Sequence, residues 1–158
     1  MSITYEKAIE DIFNAINIKY QRINTEDEEK YLYKCSVELA EKERVLKNID
    51  VFNFAFGIDL LDCSIIMVSS KIYTASNECR LELLELVNHL NRDTIYGTYI
   101  IDDNNEIRYY ISSGITSKCE ELSEKLINNY IDNLVMSVNK IIQKIVDTLR
   151  EKKERQNE

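Results

Sequence analysis

The sequence predicts a single α+β domain, an antiparallel sheet packed by helices. Three observations predict it. Apolar and polar residues alternate over 31–39 and again over 52–60, the period of half-buried strands. Residues 4–18 instead carry apolar residues at i, i+3, i+4 and i+7, the stripe of an amphipathic helix. The strands also come in runs without helices between them, which excludes βαβ alternation and leaves an antiparallel sheet.

In order, the first helix over 4–18 turns Tyr5, Ile9, Ile12, Phe13 and Ile16 inward. An acidic stretch from Thr25 to Glu29 ends that pattern. The first strand places Tyr31, Tyr33, Cys35, Val37 and Leu39 on one side and Lys34, Ser36 and Glu38 on the other. Residues 40–50 fit a long hairpin loop or a short helix. The second strand alternates Phe52, Phe54, Phe56, Ile58 and Leu60, and Gly57 within it suggests a bulge. Ile65 to Tyr73 reads as a third, more fully apolar strand.

Ser76 or Asn77 can cap a second helix that runs to about Leu90, with Cys79, Leu83, Leu86, Val87 and Leu90 inward. A hairpin follows: Ile95 to Ile101, a turn at Asp102 to Asn105, and Ile107 to Ser112. Asn and Asp suit the left-handed backbone of such a turn. Gly114 ends the sheet. Ser117 and Glu120 form a capping box ahead of a last helix running towards Leu149. That helix, at ~1.5 Å per residue, spans ~50 Å as a straight rod. It must bend, near Asn128-Asn129, or carry its end onto another subunit. The order is helix, three strands, helix, two strands, helix. Residues 1–150 form the domain and 151–158 a charged, solvated tail.

Composition narrows the function classes. The chain has 158 residues, with 20 Lys and Arg against 28 Asp and Glu, a formal charge of −8. Basic residues are interleaved with acids, so no patch matches a phosphate backbone, and nucleic acid is not an expected partner. The longest aliphatic run, Ile65 to Val68, is far short of the ~20 residues that cross a bilayer, so no membrane is expected. The N-terminus has neither the basic start nor the apolar core of a signal peptide, which points to the cytoplasm. Cysteines 35, 63, 79 and 119 include no Cys-x-x-Cys pair and read as buried small hydrophobes. The absence of Pro and Trp reads as coding bias.

The search for chemistry returns little. The single histidine, His89, lies off the apolar face of its helix and reads as a surface residue. Two-histidine zinc sites are excluded. Glycines 57, 97 and 114 are isolated, so no phosphate loop exists. Asp102, Asn104 and Glu106 begin a calcium-loop spacing, but Ile107 stands where the turn glycine belongs and Ser113 where the bidentate acid belongs. No catalytic residue, metal ligand or cofactor site is assigned, and the chain is not expected to be an enzyme.

Two apolar features lie off the core faces. Leu81 and Leu84 fall on the side of the second helix away from Leu83 and Leu86. On the hairpin, Tyr99, Ile101, Ile107, Tyr109 and Ile111 share one face, while Tyr96, Thr98, Ile100, Arg108 and Tyr110 share the other. Both faces being apolar, something covers both. The chain's own long helix and a partner are equally good covers. Leu81, Leu84, Tyr96, Ile100 and Tyr110 are the candidate partner or dimer contacts.

At Val87 to Asn91, then Gly97 to Asp102, then Glu106 to Tyr110, the sequence resembles the YbjN family. The pattern is an asparagine-ended second helix, a hairpin and a capped helix; Asn105 stands near the position of the family's turn glycine. The resemblance covers about residues 76–135, and the N-terminal half only by pattern. The family's element order is similar to that of type III secretion chaperones of the Tir chaperone class. The resemblance implies a small, acidic, non-enzymatic bacterial protein that dimerises and binds other polypeptides. In those chaperones the second helix and the first hairpin strand form the dimer contact, which falls here on Leu81, Leu84 and Tyr96. The leading expectation is thus a homodimeric, chaperone- or adaptor-like module with a polypeptide client. The alternatives are a small-molecule sensor with a pocket between sheet and long helix, and a structural subunit of a larger assembly.

Overall fold

A computed structural model describes residues 4–40, 50–115 and 122–157. The fold is α+β, as predicted, with three helices and a seven-stranded antiparallel sheet. The elements are α1 (Tyr5–Ala15), β1 (Lys19–Ile23), β2 (Lys30–Glu38), β3 (Val51–Asp59), β4 (Ser64–Ser69), β5 (Tyr73–Thr74), α2 (Arg80–Arg92), β6 (Thr98–Ile101), β7 (Glu106–Gly114) and α3 (Glu124–Gln156). Across the sheet the strands run β1, β2, β3, β4, β7, with β5 continuing β4 along β7 and β6 on the far side of β7.

Two strands were not expected. Helix α1 stops at Ala15, not at residue 18. Asn17 takes a left-handed backbone (φ 59°), and the Ile18 N–H closes back on the Phe13 carbonyl at 2.8 Å. This is the stop that glycine usually makes. It frees Lys19–Ile23 to pair with β2 as the sheet edge. The expected strand over 65–73 is broken. Val68 faces Tyr110, yet Tyr73, five residues on, faces Ile107, only three residues back. Two residues therefore loop out. Ser69 fills the gap by accepting the Tyr109 N–H on its hydroxyl at 2.9 Å.

Gly57 forms no bulge. It pairs regularly with Leu32 on one side and Ile66 on the other. A Cβ there would lie 2.8 Å from the end of the exposed Leu32 side chain, which would have to shift. The hairpin turn is as read: Asn105 is left-handed (φ 63°), and the Asp102 carboxylate accepts the Asn104 and Glu106 N–H groups, each at 2.9 Å. The segments 41–49 and 116–121, with the Ser117–Glu120 capping box and Cys119, lie outside the described residues. Within them, Ser123 caps α3 by accepting the Leu126 N–H at 3.1 Å.

Helix α3 is one continuous helix of 33 residues, unbroken at Asn128-Asn129. It extends through Gln156 and takes in most of the charged stretch after residue 150. Ile127, Ile131, Leu134, Val138, Ile141 and Ile145 form its buried stripe at alternating spacings of four and three. Its far end does not project free: Lys152 pairs with Glu82 at 2.8 Å and also donates to the Glu78 carbonyl, anchoring it to the start of α2.

All three helices sit on one face of the sheet. From α1, Phe13 packs edge-on against Tyr33 and Phe56, with ring centres 5.5 and 5.2 Å away. The α2 residues Leu83, Val87 and Leu90 join the same core. On the hairpin, the Tyr99 hydroxyl donates to the Ser137 carbonyl at 2.7 Å, and the Tyr109 hydroxyl to Asn133 at 3.1 Å, both on α3. Tyr33 is the exception in this core, since its buried hydroxyl has no hydrogen-bond partner. Cys35 is buried as expected, but Cys63 is exposed in the β3–β4 turn and Cys79 is half-buried, so the reading of the cysteines as core residues holds for only one of these three.

Candidate partner-binding surface

The register decides which side chains face away from the helices. Leu32 on β2, Ala55 on β3, Ile66 and Val68 on β4, Tyr110 on β7 and Ile100 on β6 all share the outer face. Lys34, Ala55, Val68, Tyr110 and Thr98 form one row across it; Ile23, Leu32, Gly57, Ile66 and Ser112 form the next. Leu32, Ala55 and Ile100 are exposed, while Ile66, Val68 and Tyr110 are half-buried by their neighbours. No described helix covers them. The long helix thus covers the inner face and not the outer one.

Of the sequence-derived candidates, Ile100 and Tyr110 lie on this face. Leu32, Ile66 and Val68 complete it. They do not stand out in the sequence because a strand read alone does not reveal which of its faces the helices will take.

The other candidates lie on the helical side. Leu81 is 65% exposed on α2, whereas Leu84 is half-buried. Tyr96 stands on the α2–β6 loop, beside Ile95 and opposite Met136 of α3. These three are 63%, 88% and 71% exposed. Together with Asn129, Asp132 and Asn133 they line an open groove of about 550 Å³ between the end of β7 and α3. Ile95 and Met136 were not singled out from sequence. An isolated apolar residue in a loop, or on the polar side of a helix, gives no periodic signal.

The sheet edge at β6 is closed by a side chain. Asn91 accepts the Tyr99 N–H at 2.7 Å and donates to the Tyr99 carbonyl at 2.9 Å, the two bonds a neighbouring strand would make. Docking by strand addition is therefore blocked at the middle of β6. The opposite edge, β1, is short and carries Lys19, features that discourage strand pairing.

Burial pushes the Tyr99 hydroxyl and the Cys35 thiol up to about 12 each, and raises Tyr109 as well, so all three stay protonated near neutrality. His89 is exposed on α2. Among the described residues no group of three or more His, Cys, Asp and Glu side chains could hold a metal ion. No described helix is long and apolar enough to cross a membrane.

No family model matches the chain, so the YbjN resemblance gains no support there, and no curated protein matches it. A solved structure described as the crystal structure of the ExsC-ExsE complex is similar to it at 12% identity and a TM-score of 0.49, over 87% of this chain and 92% of that one.

Proposed function

We propose that this protein is a non-enzymatic, cytoplasmic polypeptide-binding module, chaperone- or adaptor-like, that works as a homodimer. The observation that supports the client reading is the open outer face. Apolar side chains on five adjacent strands face away from every described helix, on a chain with ample polar residues to cover them. A mixed apolar, Tyr and Arg surface of this kind has the composition of a protein contact. Affinity capture with the tagged protein tests it, with Val68→Glu as the control. One polypeptide recovered near stoichiometry, and lost with the variant, is the expected result. Recovery of the protein alone, or of the same partner with both forms, would count against it.

The homodimer is proposed through the helical side, where Leu81 and Leu84 lie on α2 and Tyr96 stands beside Ile95 at the groove that Met136 also lines. Light scattering on wild type and on Leu81→Glu combined with Tyr96→Glu checks this: dimer mass for the first and monomer mass for the second. A dimer unchanged by both substitutions would remove this surface. The groove beside Tyr96 favours a second reading, a small-molecule site, since Asn129, Asp132 and Asn133 line it together with Ile95, Tyr96 and Met136. A ligand retained in native mass spectra and lost with Asp132→Ala would favour that reading.

A further inference from the structure

The charges on the outer face differ from those of the chain as a whole. The strand residues that face outward include Lys19, Lys30, Lys34 and Arg108 against Glu38, Asp59 and Glu106. On a chain of formal charge −8, this face therefore carries a small positive excess. Its three carboxylates are all engaged. Glu38 pairs with Lys19 at 3.6 Å, Asp59 with Lys30 at 3.5 Å and Glu106 with Arg108 at 2.7 Å. Lys34 is the remaining cation. It is exposed between Gln21 and Ala55, with Leu32 beside it, and has no ion pair among the described residues. A face with spare positive charge set in an acidic molecule repels carboxylate-rich partners less than the chain's net charge would, and attracts them at Lys34.

We infer that the occupant of the outer face is an acidic amphipathic polypeptide segment, with apolar side chains on Leu32, Ala55, Ile66, Val68 and Tyr110 and a carboxylate at Lys34. This rests on the polypeptide-binding reading above and adds the partner's chemistry. A second copy seated face to face would set two faces of the same positive excess against each other.

Selection of random displayed peptides on the immobilised full chain tests this. The expected winners combine Leu, Ile or aromatic residues with Asp or Glu, and lose about tenfold in affinity for Lys34→Glu, the scale of a reversed contact charge. Lys34→Arg keeps their binding. Winners that are basic or uncharged, or indifferent to Lys34→Glu, would overturn the acidic partner and leave polypeptide binding standing. A selection that enriches nothing over bare support would overturn both. A dimer that becomes monomeric with Val68→Glu would assign the face to a second copy and overturn the inference.

Discussion

The two faces of the sheet are built from alternate residues of the same strands, yet they do different work. The inner face is closed. Tyr33, Phe54, Phe56, Ile65, Met67, Ile107 and Tyr109 are buried under three helices, and the two hairpin tyrosines hydrogen-bond into α3. The outer face has Leu32, Ile66, Val68, Ile100 and Tyr110 in the same register positions one residue over, and no described helix above them. Hydrophobicity alone does not tell these sets apart. What separates them is which side the described helices took, and that choice leaves one apolar face to hold the fold and the other uncovered among the described residues.

Substitutions should divide along that line. Phe56→Ala removes a fully buried ring in contact with Phe13 and Tyr33, and should cost about 3–5 kcal/mol in denaturant unfolding. Val68→Thr on the outer face should change stability by less than about 0.5 kcal/mol in the same experiment. Similar losses from both would mean that the outer face is packed in solution.

Asn91→Ala leaves the Tyr99 main chain without the two bonds that close the β6 edge, and should cost about 2 kcal/mol. Amide exchange at Tyr99 should rise, and the newly open edge should promote self-association. Unchanged Tyr99 exchange would show that the edge is held by something other than Asn91.

Tyr33→Phe should act in the opposite direction. The ring stays and the unpartnered buried hydroxyl goes, so stability should rise by about 1 kcal/mol. A loss of stability would place a bonding partner at that hydroxyl.

The smallest expected effect is local. The hydrogen bond from Lys152 lowers the Glu82 pKa below its ordinary value, and the same bond raises Lys152. A lowered carboxylate contributes stability that is present above its unfolded pKa and lost as pH falls through its folded one. A raised lysine contributes below its unfolded pKa and loses it as pH rises through its folded one. The anchor at the end of α3 should thus hold through the neutral range and loosen at acid pH. Exchange at residues 150–156 should rise there before the core opens, and exchange flat with pH would contradict the anchor.

Much of the fold was legible in the sequence because the signals were local and periodic. The alternation in β2 and β3, the stripe of α1, the inward set of α2 and the Asx turn before β7 all appear where expected. β1 escaped notice because Lys19–Ile23 is short and its preceding helix ends on Asn17 rather than on glycine. The break between β4 and β5 was hidden because the looped-out residues only become visible against β7. For the candidate surface, Ile100 and Tyr110 were readable as a second apolar hairpin face. Leu32, Ile66 and Val68 were not, since their exposure depends on where α3 lies. The grouping of Tyr96 with Ile95 and Met136 joins residues far apart in sequence, which no period reports.

The most direct test of the account is methyl nuclear magnetic resonance with a display-selected peptide bound to the full chain. The account predicts shifts at Leu32, Ile66, Val68 and Ile100 and little change at Ile107, Ile111 and Ile65 on the other face. Shifts confined to Ile95 and Met136, with the outer-face methyls unmoved, would contradict it and move the binding site to the helical groove.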